Sequence, residues 1–265
     1  MEQRAGGIGR PLSGRTALIA GASRGIGLAI ARAMAAAGAH TIMAARSESV
    51  LVRESAALRS QGYDVEHMAF NAVNKVSVDR LMQSLPAVDV LVPVQGTNVR
   101  KPFCAYSRDE YRALVQLNLD SVVELIRRVG ERMIARGAGG KVITIGSLVI
   151  HVGVPNVAVY AATKGALAAL TRALAAEWAL HDIQVNCVIP GMILTDLNRA
   201  MWEPPRMREW LQSVQANPRL GSPEDVAPLV VFLAGAGANY ITGQLIAVDG
   251  GYSTTKMWPF TGDAG

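Results

Sequence analysis

Tyr160 and Lys164 are the pair of residues in this sequence whose types and spacing most clearly suggest chemistry. They bound the run Tyr-Ala-Ala-Thr-Lys, early in a stretch with a helical pattern. Residues four apart share one face of a helix, so the phenol and the ammonium would point the same way. A neighbouring positive charge favours the phenolate form, which would let Tyr160 donate or accept a proton near neutral pH. The spacing alone is common and mostly structural, so its meaning depends on what else the chain places nearby.

Ser147 supplies a second polar group, because it directly follows the predicted strand 141–146. The carboxyl edge of a parallel sheet is where open α/β domains bind their ligands. A serine hydroxyl at this edge could meet charge that develops on a substrate oxygen. The sequence therefore predicts a polar site where this strand ends.

A glycine-rich turn, Gly-Ala-Ser-Arg-Gly-Ile-Gly, occupies residues 21–27 between a predicted strand and a predicted helix. Glycine lets the chain turn sharply and lets phosphates approach the backbone closely. The N-terminus of the helix adds free N–H groups and the positive end of its dipole. This strand–turn–helix context indicates a dinucleotide site; the alternative is a structural turn without a ligand.

The second predicted strand ends in Ala-Arg-Ser at residues 45–47. An NAD-binding domain would place an acidic residue here for the 2′-hydroxyl of the ribose, and this chain has none. Arg46 and Arg24 could instead hold a 2′-phosphate, since guanidinium groups match phosphate geometry. The sequence therefore favours NADP over NAD, unless the two arginines are merely solvated surface residues.

Short apolar runs alternate with longer helical stretches along the chain. The predicted strands are residues 16–20, 40–45, 65–70, 88–94, 141–146, 183–189 and 244–248. The predicted helices are residues 25–37, 48–60, 76–85, 108–135, 159–180 and 223–234. Strands without strict alternation, separated by helices, imply a parallel sheet buried on both faces. We expect a single α/β domain of the Rossmann type, a doubly wound, parallel, seven-stranded sheet with helices on both faces.

The composition argues against several other classes of protein. Half of the 265 residues are apolar and 18% are charged, which favours a packed globule. The net charge is +5, but Lys and Arg are scattered, so no nucleic-acid partner is expected. No run is long and apolar enough for a membrane span, the N-terminus lacks the apolar centre of a signal peptide, and the cytoplasm is the expected location. The four histidines and two cysteines lack metal-ligand spacing, so we expect no metal and two reduced thiols.

Taken together, these motifs resemble the short-chain dehydrogenase/reductase (SDR) family. The resemblance runs from about Leu12 to Tyr252, nearly the whole chain. Besides the motifs above, it includes Asn118 in Gln-Leu-Asn-Leu, Pro-Gly at 190–191 and Val-Asp-Gly-Gly at 248–251. It implies an oxidoreductase in which a hydride passes between a nicotinamide ring and a substrate carbon.

The resemblance also implies a role for each site residue. Tyr160 would be the general acid/base, and Lys164 would stabilise its phenolate and hold the nicotinamide ribose. Ser147 would orient the substrate oxygen, and Asn118 would hold a water in a proton relay through Lys164. The residues expected to bind the cofactor are Gly21, Ser23, Arg24, Gly25, Ile26, Gly27, Arg46, Asn71, Ala72, Gln95, Gly96, Tyr160, Lys164, Pro190, Gly191, Ile193 and Thr195.

The expected organisation has three parts: a flexible leader over residues 1–13, an SDR domain over 14–252 and a C-terminal tail over 253–265. Within the domain, residues 192–219 hold tryptophans, prolines and several charges. This stretch is too long for a plain connection, and we interpret it as a substrate lid.

The sequence departs from the family pattern after the fourth predicted strand. Pro-Val-Gln-Gly at residues 93–96 stands where the family usually has Asn-Asn-Ala-Gly. Proline lacks an N–H, so Pro93 would cost a hydrogen bond in a central strand. Asn71 replaces an Asp that meets the adenine, and Ala20 replaces a Thr. These changes bear on cofactor affinity and local stability but leave the four catalytic positions intact.

Within the family, Thr-Asn-Val-Arg-Lys-Pro at 97–102 and Ala-Glu-Trp-Ala at 176–179 resemble the gluconate 5-dehydrogenase branch. A keto-sugar acid or a polyol is therefore the expected small-molecule substrate. Arg100 could pair with a substrate carboxylate, although a solvent-facing arginine is equally consistent. His151 could face the pocket or be an ordinary loop residue, and Trp202 could cover the substrate or simply pack the lid down.

Two other functions are consistent with the motifs. One is a 3-oxoacyl-thioester reductase that accepts an acyl carrier protein, for which Arg100, Lys101, Arg206 and Arg208 would supply a basic patch. The other is a catalytically silent NADP-binding protein, which the altered segment at 93–96 favours and the intact catalytic residues oppose. The resemblance further implies a homotetramer or homodimer, assembled through the regions 108–135 and 159–180.

Overall fold

A single seven-stranded sheet forms the centre of the computed structural model, which describes residues 10–196 and 198–256. All neighbouring strands are parallel, in the order β3-β2-β1-β4-β5-β6-β7. The order reverses at β1 and β4, the kind of switch point where open α/β sheets bind ligands. The strands are β1 (Thr16–Ala20), β2 (His40–Ala45), β3 (Val65–Ala69), β4 (Val90–Pro93), β5 (Gly140–Ile145), β6 (Ile183–Pro190) and β7 (Leu245–Val248).

Helices cover both faces of this sheet. One apolar layer packs α1, α2 and α9 against side chains such as Ile19, and the other packs α3, α5 and α6 against side chains such as Leu18. Successive strand residues point to opposite faces, so both faces are buried. The predicted doubly wound α/β fold is confirmed. The helices are α1 (Gly25–Ala36), α2 (Glu48–Ser60), α3 (Lys75–Ser84), α4 (Arg108–Val115), α5 (Ser121–Arg136), α6 (Ala158–Glu177), α7 (Arg199–Trp202), α8 (Pro205–Val214) and α9 (Pro223–Ala234).

Strands β1 and β2 and helices α2 and α9 have the predicted bounds. Local signals explain this agreement for α9. Pro223 occupies the first helical turn, where its missing N–H costs nothing. Ser222 and Asp225 form a capping box, each side chain bonding the other residue's backbone.

The predicted helical region 108–135 is helical from Arg108 to Arg136, but it is not a uniform α-helix. A π-helical turn, Gln116–Asp120, separates α4 from α5. Such a turn inserts an extra residue into the helix and is frequent at functional sites. The apolar pattern continues across it, because Leu114 and Val122 are both buried, so periodicity alone does not reveal the interruption.

Strand β4 is shorter than the predicted 88–94 and ends at Pro93. It lies in the middle of the sheet, between β1 and β5. Its pairing with β5 ends at Leu91 opposite Val142, because Pro93 has no N–H to continue the ladder. On the other side Val94 N donates to Ala20 O at 2.7 Å, so the pairing with β1 persists. The expected hydrogen-bond loss therefore falls only on the β5 side.

The packed core includes a residue that precedes the predicted domain start at residue 14. Leu12 lies within the expected leader of residues 1–13, yet it is 1% exposed and packs in the core. Its N–H donates to Ala37 O at 3.0 Å. Residues 1–9 of the leader and 257–265 of the expected tail lie outside the described residues. The expected lid region, 192–219, contains α7 and α8.

Two of the expectations concern a membrane-spanning helix and a metal site. Among residues 10–196 and 198–256, no helix is long and apolar enough to cross a membrane. The same part of the chain contains no cluster of three or more His, Cys, Asp or Glu residues suited to a metal ion.

Candidate active site

The glycine turn between β1 and α1 is built for close approach of the backbone. Gly21 has φ +96° and Gly25 has φ +53°, a region that favours glycine. A Cβ on Gly21 would lie 2.8 Å from Gln95 N, and one on Gly27 would lie 2.2 Å from Gly21 O. The turn therefore lies directly against the end of β4 and presents the N-terminus of α1 to the carboxyl edge of the sheet.

A cleft of about 810 Å³ runs along this edge, which is the size of site that small molecules and cofactors occupy. It joins the glycine turn at one end to Ser147, Tyr160 and Lys164 at the other. Asn71 is the one expected cofactor residue that is not on its wall. Its side-chain oxygen accepts from Val73 N at 3.3 Å. The other expected cofactor residues line it: Gly21, Ser23, Arg24, Gly25, Ile26, Gly27, Arg46, Ala72, Gln95, Gly96, Tyr160, Lys164, Pro190, Gly191, Ile193 and Thr195.

The end of the cleft beyond β2 is cationic. Arg24 and Arg46 line it, and neither pairs with a carboxylate of residues 10–196 or 198–256. Glu54 also lines this end, but its carboxylate is held by Arg53 at 2.9 Å and by Arg32 at 2.6 Å. Partial burial acts to raise the pKa of Glu54, and the hydrogen bonds from the two arginines lower it by more. Arg24 and Arg46 are thus left to attract an anionic ligand group.

Lys164 lies at the catalytic end of the cleft and is held by the sheet. Its Nζ donates to the carbonyl of Ile145, the last residue of β5, at 2.8 Å. The same Nζ is 5.7 Å from the centre of the Tyr160 ring. The predicted phenol–ammonium pair on one face of α6 is therefore present. Ser147 follows β5 by two residues and lines the same space.

Asn118 occupies the π-helical turn and is fully buried. Its Oδ1 accepts from Thr97 N and its Nδ2 donates to Thr97 O, both at 2.8 Å. The amide therefore clamps the loop that follows β4. A Cβ on Gly96 would lie 3.2 Å from Asn118 Oδ1 and 3.9 Å from Lys164 Nζ. Because Thr97 binds both the oxygen and the nitrogen of the Asn118 side chain, a water would have to be held by the backbone of Asn118.

The three expected substrate residues other than Ser147 are not brought together, and in the described structure none of them lines the cleft. Arg100 is exposed and contacts the sulfur of Met201 in α7. His151 is exposed on the segment that follows Ser147. Trp202 is buried and packs against Trp210, with ring centres 6.5 Å apart. Trp202 thus packs the lid down, the alternative interpretation of this residue.

Several residues on the cleft wall were missed by the sequence analysis. Asn98 and Leu117 flank the catalytic end, and Asn198 belongs to the lid region. Asn98 could have been found, because it lies two residues beyond Gly96 in a loop already assigned to the ligand edge. Arg53 and Glu54 lie within α2, where nothing in the local pattern distinguishes them from other surface charges.

Comparison with known proteins identifies the class to which this fold and cleft belong. The family model described as enoyl-(acyl carrier protein) reductase matches residues 21–253. A tropinone reductase homolog of Arabidopsis thaliana is 35% identical over 247 residues, which cover 91% of this chain and 93% of that protein. The chain therefore belongs to the short-chain dehydrogenase/reductase family and is an oxidoreductase.

Solved structures agree on the fold and include related enzymes. A gluconate 5-dehydrogenase from Burkholderia cenocepacia J2315, in complex with NADP and tartrate, has a TM-score of 0.87 and 36% identity. The match covers 92% of this chain and 97% of that one. A 3-oxoacyl (acyl-carrier-protein) reductase from Agrobacterium tumefaciens C58, with NADP bound, has a TM-score of 0.85 and 30% identity, covering 91% and 95%. The predicted resemblance to the family and to its gluconate 5-dehydrogenase branch is confirmed.

Proposed function

We propose that this chain is an NADP-dependent oxidoreductase that interconverts a carbonyl and a secondary alcohol. The observation that supports this most directly is the single cleft that joins the glycine turn and Arg46 to Ser147, Tyr160 and Lys164. A dinucleotide spans such a distance, with its phosphates at the glycine turn and its reactive ring at the far end. NADP, the cofactor of the Burkholderia and Agrobacterium relatives, is the cofactor of this chain.

The chain's own residues fit this cofactor. The absence of side chains at Gly21 and Gly27 lets the backbone close tightly, and the first N–H groups of α1 would hold the phosphates of the cofactor. Arg24 and Arg46 suit the 2′-phosphate, because guanidinium makes charge-assisted hydrogen bonds to phosphate oxygens. The nicotinamide supplies or accepts the hydride when the cofactor is bound.

The residues at the far end manage the proton and the substrate oxygen. In reduction, the hydroxyl of Tyr160 donates a proton to the carbonyl oxygen, and in oxidation the phenolate takes it back. Ser147 donates a hydrogen bond to the same oxygen and so fixes its position. Lys164, tethered to Ile145 O at 2.8 Å, is held with its Nζ 5.7 Å from the centre of the Tyr160 ring, on the same side of α6 as the phenol.

The substrate class we propose is a keto-sugar acid or a related polyhydroxy compound. Arg100 lies on the loop beyond β4 and reaches α7, and no carboxylate of the described residues pairs with it. It is therefore available to a substrate carboxylate. The tartrate in the Burkholderia relative is a polyhydroxy acid of this kind.

The thioester alternative draws on the Agrobacterium relative and on the match to the reductase family model. It needs a basic patch for an acidic carrier protein. Lys101 is a poor member of such a patch, because its ammonium binds Glu110 at 2.6 Å. Hydrogen bonds from Lys101 and Ser107 lower the pKa of Glu110 to about 2, so this ion pair persists near neutral pH.

We further propose that the chain assembles as a homotetramer or homodimer through α4, α5 and α6. Helix α6 exposes a row of alanines that includes Ala162, Ala169 and Ala173. Small side chains let two helices approach closely, and Tyr111 of α4, which is 49% exposed, adds apolar surface.

Substitution of Tyr160 by Phe tests the catalytic role. We expect kcat to fall by more than about 100-fold, the scale of a lost general acid/base, while NADPH still binds in a fluorescence titration. Tyr63→Phe is the matched control, because this phenol lies outside the cleft, and it should retain activity. A near-normal rate for Tyr160→Phe would exclude the proposed proton transfer.

Substitution of Arg46 by Gln tests the assignment of the 2′-phosphate. We expect the ratio of kcat/KM for NADPH over NADH to fall by about 10-fold or more, since a hydrogen bond to a charged group is worth ~1.5–3 kcal/mol. Arg80→Gln, on the exposed side of α3, is the control and should leave the ratio unchanged. An unchanged ratio in Arg46→Gln would mean that Arg46 is a solvated surface residue and does not bind the 2′-phosphate.

A substrate panel with NADPH tests the proposed class. The panel contains 5-ketogluconate, the neutral sugar xylulose, acetoacetyl-CoA and butanone. We expect turnover of 5-ketogluconate, and we expect Arg100→Gln to raise its KM about 10-fold through loss of a charge-assisted pair while KM for xylulose stays constant. Absence of turnover of 5-ketogluconate excludes the sugar acid, and turnover of acetoacetyl-CoA alone would favour the thioester alternative.

Light scattering at micromolar concentration tests the assembly. We expect a mass of two or four chains, and an Ala169→Glu variant should shift it towards the monomer by placing a charge in the contact. A monomeric wild-type protein would contradict the proposed assembly.

A further inference from the structure

Asn98, at the catalytic end of the cleft, has a side-chain oxygen to which no group of the described residues donates a hydrogen bond. It lies on the cleft wall that also contains Ser147 and Tyr160. Its Oδ1 is buried, and within the described part of the chain no donor reaches it. A buried acceptor without a donor destabilises a folded protein, so such groups call for an explanation.

The backbone around Asn98 is held firmly on both sides. Asn118 binds both the N–H and the carbonyl of the preceding residue, Thr97, at 2.8 Å. The carbonyl of the following residue, Val99, accepts from the hydroxyl of Tyr106. Hydrogen bonds therefore hold the backbone on both sides of Asn98, which fixes the place of this residue in the cleft wall. A polar group fixed in this way is preorganised for a ligand.

Asn198, on the same cleft wall, differs from Asn98 in this respect. Its Oδ1 accepts from Thr195 N and its Nδ2 donates to Ile193 O, both at 2.8 Å. Its amide is thus fully used in shaping the segment after β6. Asn198 therefore supports the cleft wall, whereas the side-chain oxygen of Asn98 remains for a ligand to bind.

The chemistry of the missing partner follows from the amide and from its place. A carboxamide accepts through oxygen and donates through nitrogen, which matches a hydroxyl, since a hydroxyl also does both. Ser147 and Tyr160 are proposed to hold the substrate carbonyl, so Asn98 would meet the substituents on the carbons beside it. Methylene groups at those carbons would leave the amide oxygen unpaired.

We propose that Asn98 is a specificity-determining residue that binds a hydroxyl next to the reacting carbonyl and so selects polyhydroxylated substrates. The inference rests on the proposed function, because it assumes that the carbonyl lies between Ser147 and Tyr160. It does not depend on the carboxylate assigned to Arg100. Sites that hydrogen-bond a substrate hydroxyl reject the analogue that lacks it more strongly than apolar pockets reject an extra group.

The test compares two six-carbon 5-keto acids, 5-ketogluconate and 5-oxohexanoate, which differ in their hydroxyls. In Asn98→Leu we expect kcat/KM for 5-ketogluconate to fall about 10- to 100-fold, the scale of a buried hydrogen bond. We expect kcat/KM for 5-oxohexanoate to stay constant or to rise, and NADPH affinity, from fluorescence, to stay constant. Asn198→Leu is the matched comparison and should reduce turnover of both acids alike.

Equal losses for the two acids in Asn98→Leu, or weaker NADPH binding, would overturn the proposal. The pair xylulose and 2-pentanone repeats the comparison without a carboxylate. If the wild-type enzyme reduces xylulose but not 5-ketogluconate, the sugar acid is excluded and Asn98 is tested on the neutral pair. A wild-type enzyme that reduces only the ketones without hydroxyls overturns the role of Asn98, whereas Tyr160→Phe tests the chemistry independently.

Discussion

The two hydrogen bonds between the Asn118 amide and the backbone of Thr97 are the constraint on which the catalytic end of the cleft depends. They join the π-helical turn to the loop after β4, two segments that are 21 residues apart in sequence. An amide that binds both the N–H and the C=O of one residue holds the two peptide groups that flank its Cα, and so fixes their orientation as well as their position. Gly96 and Asn98, on either side, are therefore positioned by a residue that does not itself line the cleft.

The proline in β4 and the tether of Lys164 are connected through the sheet. Continued pairing of β4 with β5 would occupy the carbonyls at the end of β5. Because pairing ends at Leu91 opposite Val142, the carbonyl of Ile145 is available to accept from Lys164 Nζ at 2.8 Å. Pro93, where the chain departs from the family pattern, thus lies where β4 and β5 separate towards the cleft. The acceptor that Lys164 uses, Ile145 O, lies beyond the last paired residues of these strands.

The sequence was most informative where a local signal and a buried pattern agreed. Strand β1, the glycine turn and the Tyr160–Lys164 pair each carry a signal within a short stretch of sequence, and each lies where it was predicted. The π-helical turn was missed because the apolar pattern continues across it, and only the fold brings its Asn118 to Thr97, 21 residues away in sequence. The sequence likewise could not show that Asn98 Oδ1 lacks a donor, because that depends on which groups the fold places around it.

The region 192–219, which we predict to be a substrate lid, shows how far such long-range contacts decide the role of a residue. Trp202 is as apolar as a substrate cover requires, yet it stacks on Trp210, and Trp210 in turn packs on Tyr252 with ring centres 6.2 Å apart. At the end of α8, the Nε2 of Gln215 donates to Asn217 O at 2.6 Å and to Arg219 O at 2.8 Å.

Gln215 also lies so close to Gly250 that a Cβ there would be 2.8 Å from its Nε2. The lid is therefore anchored to the turn after β7 by its aromatic side chains and by this amide, which removes those groups from contact with a ligand. At the start of this region, four residues remain on the cleft wall: Ile193, Thr195, Asp196 and Asn198. The loop after β4, which the Asn118 amide holds through Thr97, contributes Gly96, Thr97 and Asn98 to the same cleft.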